Sequence, residues 1–136
     1  MNAEHILLID DDEDDQYIFI EALNEMQTGI ECSIANDGFE AFEHFNNQDG
    51  VPSLIFLDLN MPLMNGFEFM EKIRKTDAFW KIPIVVMTTS DNPSDKKRAH
   101  DLGALFFFTK TSEFKKLKEI IEEILHAQFS ALNASA

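Results

Sequence analysis

No Lys or Arg occurs in the first 71 residues, although 17 acidic side chains do. All 11 basic residues lie between Lys72 and Lys118, and the 136-residue chain carries a net charge of −14. Binding a phosphate backbone needs clustered cationic side chains, so this balance argues against nucleic acid as a direct partner. Cysteine occurs once, as Cys32, so no disulfide can form within the chain, and a reducing cytoplasm is the expected compartment. No apolar run approaches the roughly 18 residues of a membrane-spanning helix, so no membrane association is expected. The start, MNAEHILLID, also lacks a basic segment ahead of an apolar stretch. GxxxxGK, GxGxxG, GxSxG and CxxC are all missing, as are internal repeats and linkers.

What is present reads as one globular domain, with 45% hydrophobic and 26% charged residues. Five short apolar runs recur: Ile6–Ile9, Ile30–Ala35, Leu54–Leu57, Ile84–Met87 and Leu105–Phe108. Between them the apolar residues take helical spacing, as in Phe19, Leu23 and Met26, or Phe67, Met70 and Ile73. The clearest stripe is Phe114, Leu117, Ile121, Ile124 and Leu125. Strands alternating with helices imply βαβ units and a parallel sheet covered on both faces, which explains why four of the five runs are continuously apolar. The expectation is an α/β, doubly wound (βα)5 domain over residues 4–127, the last helix ending near His126, with a frayed tail over 128–136. The fourth helical segment is the weakest. It starts well at Asp91-Asn92-Pro93-Ser94 but offers only Ala99 and Leu102 to a core before Gly103. Such a helix is expected to shift at low cost.

In an open parallel sheet the functional crevice lies beyond the carboxyl ends of the strands. Strand 1 ends in Asp10 and Asp11, strand 3 in Asp58, strand 4 in Thr88 and Thr89, and strand 5 in Thr109 and Lys110. With strand order 2-1-3-4-5 the three aspartates crowd together, and Thr88 and Lys110 stand opposite. Three neighbouring carboxylates raise one another's pKa unless a cation joins them. Oxygen-only ligation with room for waters suits Mg²⁺. An ammonium and a hydroxyl facing such a cation form a clamp for phosphoryl oxygens, and an aspartate can itself accept the phosphoryl group. The residues therefore point to Mg²⁺-dependent phosphorylation of Asp58.

Four segments, HILLIDDDEDD, LIFLDLNMPLMNG, PIVVMTTS and the TK of FFFTK, occur in this order at these strand ends. Together they resemble the receiver domain of two-component response regulators, of the stand-alone type. The resemblance implies a flavodoxin-like three-layer sandwich. It implies that Asp58 accepts a phosphoryl group from the phosphohistidine of a sensor histidine kinase or histidine phosphotransfer protein. Mg²⁺, with Mn²⁺ as a substitute, would be held by Asp11, Asp58 and the Asn60 backbone carbonyl, with Asp10 acting through water. Lys110 would pair with the phosphoryl group, Thr88 would swing to hydrogen-bond it, and Phe107 would be the switch aromatic. Thr89 belongs to the same switch region, and Asn60 and Ser90 match positions that tune self-dephosphorylation. Output would pass through the helix 4–strand 5–helix 5 face to another protein, the receiver being a monomer or a weak phosphorylation-dependent dimer. Two departures stand out: Thr111 follows the lysine where proline is usual, and Phe107 replaces the commoner tyrosine. Thr88-Thr89-Ser90 without that proline is similar to small receivers that partner bacterial phytochrome-type kinases.

Duller readings compete at several positions. Asp10-x-Asp12-x-Asp14 nearly spells a calcium loop, but its sixth position is Asp15 rather than glycine. Asp12 to Asp15 read more simply as first-turn residues favoured by the helix dipole, Asp15 in particular doing no more than that. A turnover phosphatase would need a second acid where Asn60 stands. A pseudo-receiver adaptor usually loses an acid of the first strand, the acceptor or the lysine, and this chain keeps them all. The four histidines lack metal-ligand spacing, and Cys32 reads as a small buried side chain. At Lys110–Thr111 a cis bond would cost about 2.5–4 kcal/mol without proline. A cis bond is nonetheless expected there, because the reach of the lysine constrains the backbone.

Overall fold

The computed structural model describes residues 4–47, 50–89 and 91–129. Strands β1 (His5–Ile9), β2 (Glu31–Ala35), β3 (Leu54–Asp58), β4 (Ile84–Thr88) and β5 (Phe106–Thr109) alternate with five helices. These are α1 (Glu13–Met26), α2 (Gly38–Phe45), α3 (Gly66–Arg74), α4 (Pro93–Asp101) and α5 (Phe114–Gln128). All strand pairs are parallel, in the expected order β2-β1-β3-β4-β5. Strands β3 and β4 outlast their apolar runs by one residue. The ladder continues through polar partners there, Asp58 beside Met87 and Thr88 beside Thr109. That extra residue carries the two central site groups into the rigid sheet.

Alternation along the strands splits the core in two. Leu7, Ile9, Ile55, Leu57 and Val86 face the α2–α3–α4 side, where Phe45, Phe69, Met70 and Ile73 cover them. Ile6, Leu8, Phe56 and Met87 face α1 and α5, against Phe19, Leu23, Leu117 and Ile121. Helix starts carry side-chain caps at Asp12, Asp37, Asn65 and Asn92, and Asn65 and Glu68 form a reciprocal capping box. Gly66 opens α3 where a Cβ would lie 2.8 Å from the Leu59 Cα, so only glycine lets this helix start so close to the end of β3.

Two elements carry more than the apolar pattern shows. Helix α5 continues past His126 to Gln128, and Phe129 caps it with only 5% of its surface exposed. Burying that ring outweighs fraying there, so Phe129 of the expected tail belongs to the core; residues 130–136 lie outside the described residues. Of the two residues expected to face the core, helix α4 buries Ala99 fully and Leu102 only partly, and polar staples add to them. Arg98 bonds Glu71 at 3.0 Å and lies 4.3 Å above the Phe67 ring. Arg74 of α3 reaches the carbonyls of Leu102 and Gly103 at the end of α4, and those of Trp80 and Ile82 in the preceding loop.

Candidate functional site

The polar groups converge where the strands end. Asp10 leaves β1 with its N–H bonded to the Ala35 carbonyl, and its Oδ1 accepts the Asp12 N–H at 3.0 Å. Asp58 closes β3, and its Oδ1 accepts the Asn60 N–H at 3.0 Å. Both carboxylates are buried, whereas Asp11 is exposed at the rim. One oxygen from each of Asp10, Asp11 and Asp58 falls in a group spanning no more than 4.8 Å. These are hard, oxygen-only donors with one solvent-facing member, a set that fits a divalent cation retaining water.

Lys110 follows β5, and its own N–H bonds the Thr88 carbonyl at 2.7 Å. Its ammonium lies 2.9 Å from Asp10 and 3.2 Å from Asp58. Burial would lower the pKa of Lys110, but the hydrogen bonds to Asp15 and Asp10 and the charges of Asp10 and Asp58 outweigh it and raise the value. Burial pushes the Asp10 carboxyl up to about 6, against the pull of the Asp12 N–H and of Lys110. Asp58 is raised too, again mainly by burial, with its Asn60 and Lys110 partners opposing. Two buried acids held above their ordinary range are groups whose ionised forms a cation stabilises.

Beside them, Thr88 is buried, and the Asn60 amide donates to the hydroxyls of both Thr88 and Thr89 at 3.2 Å. Phe107 is half-buried against the α2–α3–α4 core. Ser90 lies outside the described residues. Sequence reasoning thus places Asp10, Asp11, Asp58 and Lys110 together, with Asn60, Thr88 and Thr89 adjoining.

Two expectations fail. The Lys110–Thr111 bond is trans, since no described peptide bond is cis. Lys110 reaches both buried carboxylates along the trans path, so nothing offsets the cost of a cis bond without proline. Asp15 is more than a first-turn acid: its carboxylate makes the shortest contact to Lys110, 2.7 Å. The overlooked signal is arithmetic, because an ammonium has three donors and the sequence pattern pairs Lys110 with the phosphoryl group alone.

Comparison with known proteins decides the family. The response regulator receiver domain family matches residues 6–122. The chain belongs to it. Among relatives of this receiver is the response regulator Rcp1 of Synechocystis sp., 32% identical over 124 residues that make up 88% of this chain and 84% of Rcp1. The sensor histidine kinase CheAY of Helicobacter pylori is 29% identical over 117 residues, 86% of this chain but only 14% of that protein. Among solved structures, the phosphorylated cyanobacterial phytochrome response regulator RcpA superposes with a TM-score of 0.85 at 29% identity, covering 96% of each chain. The Mn²⁺-bound form of Rcp1 superposes at 0.79 with 30% identity, covering 90% of this chain and 92% of that one. Receivers are phosphoacceptor signalling domains of two-component systems, which bind Mg²⁺ or Mn²⁺ in an acidic pocket and interact with histidine kinases. No described helix of this receiver is long and apolar enough to cross a membrane.

Proposed function

We propose that this receiver accepts a phosphoryl group on Asp58 from a phosphohistidine and signals through altered protein contacts. The observation that carries the reading is Asp58 itself: a buried carboxylate at the end of β3, 3.2 Å from the Lys110 ammonium and inside a three-carboxylate oxygen cluster. An Asp58 oxygen forms the new bond to phosphorus, the donor P–N bond breaks, and its electron pair returns to the departing imidazole. Lys110 neutralises charge on the transferred group, and the Thr88 hydroxyl, given up by Asn60, moves to hydrogen-bond it. Asp11, Asp58, the Asn60 carbonyl and, through water, Asp10 would hold a Mg²⁺, which would supply charge neutralisation and orientation. Because that positioning is all the protein provides, the receiver catalyses only its own phosphorylation and slow dephosphorylation. Half-buried Phe107 on β5 passes the change to the α4–β5–α5 face, where the partner protein binds.

The donor we assign is a phytochrome-type sensor kinase in the cytoplasm. Support comes from Thr111 in place of proline and from the similarity to two phytochrome response regulators, RcpA and the bacteriophytochrome regulator AtBRR. Incubation with acetyl phosphate and Mg²⁺ should add one acid-stable, base-labile phosphoryl group, and Asp58→Asn should take none there. Equal labelling of the two proteins overturns the acceptor assignment. A phosphotransfer profile across the histidine kinases of the source organism should show fastest transfer from a phytochrome-type kinase.

A further inference from the structure

The three carboxylates on Lys110 are not equivalent. Asp10 and Asp58 also contribute oxygens to the candidate cation cluster, whereas Asp15 stands outside it. Asp15 nevertheless makes the shortest contact, 2.7 Å against 2.9 and 3.2 Å. A divalent cation on the cluster neutralises the two carboxylates it shares with Lys110 and repels the ammonium directly. A phosphoryl group on Asp58 turns that carboxylate into a neutral acyl oxygen and draws the ammonium toward its own oxygens instead. The lysine side chain is largely buried, with 16% of its surface exposed. Beside it opens a cavity of about 370 Å³ between α1 and the β5–α5 loop, floored by Leu8, Ile18, Phe19 and Met87, with Asp15 and Lys110 both in its wall. Asp15 owes its place to the start of α1: its N–H donates to the Asp12 cap at 3.0 Å, which leaves its carboxylate free to turn toward β5.

We propose that Asp15 is a positioning residue, the carboxylate that keeps the Lys110 ammonium at the acceptor once cation and phosphoryl group have engaged Asp10 and Asp58. This rests on reading Asp58 as the acceptor. The pair joins residues 95 apart, so it also ties α1 to the β5–α5 loop across the cavity mouth. Asp15 touches neither the cation site nor the reacting atoms; it acts through Lys110.

A double-mutant cycle tests this, with acetyl-phosphate labelling rates measured at saturating Mg²⁺ for wild type, Asp15→Ala, Lys110→Ala and the double variant. Asp15→Ala should slow labelling about tenfold, the scale of a charge-assisted hydrogen bond. In the Lys110→Ala background it should change the rate less than about twofold, because its effect passes through the lysine. Asp15→Asn, which keeps the shape and an oxygen acceptor but not the charge, should fall between wild type and Asp15→Ala, and it serves as the test variant if the alanine protein does not fold. Lysine-selective NMR gives a readout independent of rate: with Mg²⁺ bound, the Lys110 ammonium protons should exchange slowly in wild type, lose that protection in Asp15→Ala and show a reduced protection in Asp15→Asn. If wild type is labelled at Asp58 and Asp15→Ala keeps the wild-type rate, the positioning role is overturned while the acceptor reading stands. An equal loss in both backgrounds, or retained ammonium protection, overturns it as well. Equal labelling of wild type and Asp58→Asn overturns the acceptor reading, and this role with it.

Discussion

Leu63 sits at φ 69° in the loop between β3 and α3, with 84% of its surface exposed. In that left-handed region Cβ crowds the following carbonyl, at a cost of about 1–2 kcal/mol that an exposed side chain does not recover by burial. Leu63→Asn should therefore stabilise the protein by about 0.5–1 kcal/mol, since asparagine tolerates the region through local hydrogen bonding. The measurement is a urea titration in which the midpoint rises and the slope stays constant. A lowered midpoint shows that the leucine side chain makes a contribution larger than its strain. The same scale governs the trans bond at Lys110–Thr111. Position 111 needs no proline because the lysine already finds Asp15, Asp10 and Asp58 from a trans backbone.

Helix α4 shows how an element with almost no apolar face is kept in place. Its two arginine staples differ in strength for a physical reason. The Arg98–Glu71 pair is open to solvent, with 54% and 44% of the side chains exposed, so it and the ring contact beneath it together contribute about 1 kcal/mol and weaken with salt. Arg74 instead donates to four backbone carbonyls from a half-buried site, and its removal leaves several of those acceptors without their donor. Arg74→Ala should cost about 2–4 kcal/mol, and Arg98→Ala no more than about 1 kcal/mol. Hydrogen exchange should show α4 amides opening faster in both variants while the β1 and β3 amides of Arg98→Ala stay at wild-type protection. Comparable destabilisation by the two substitutions refutes the ranking. The contrast also marks where the sequence could be read. Buried parallel strands announce themselves as continuous apolar runs, and Asp10, Asp11 and Asp58 could be found because each follows such a run, while Lys110 follows the apolar run of the half-exposed edge strand β5. Arg74 and Asp15 follow no run. Their roles come from donors and acceptors brought together across 28 and 95 residues, and apolar periodicity carries no signal for such pairings.

At the scale of the whole molecule, the acidic half of the chain meets the sheet's carboxyl edge with Lys110 as its counter-ion, and stability should therefore depend on both pH and metal. Asp10 is raised from an ordinary 3.8 to about 6, chiefly by burial. A buried acid with a raised pKa binds its proton more tightly when folded. Its stabilising contribution is present below pH 4 and is lost as pH rises through about 6. At about 1.4 kcal/mol per pH unit the loss is roughly 3 kcal/mol, and Asp58 adds to it in the same direction. The metal-free protein should therefore melt higher at pH 5 than at pH 7. Asp10→Asn should flatten that slope, because an amide has no proton to lose. Mg²⁺ should act in the opposite sense, by binding the ionised pocket and hardly the unfolded chain. At ten times its Kd it should contribute about 1.4 kcal/mol, or a few degrees in Tm, at pH 7 and progressively less toward pH 5 as protons compete. Asp11→Asn should remove most of this increment. Without metal that variant should melt at or above wild type, because one of three mutually repelling carboxylates is gone. Thermal melts at both pH values, with Mg²⁺ or with chelator and NaCl at matched ionic strength, separate these effects from general screening. If Asp11→Asn keeps the full Mg²⁺ increment, the metal is not held by the acids that end β1; if the metal-free protein melts lower at pH 5 than at pH 7, burial does not dominate the ionisation of Asp10.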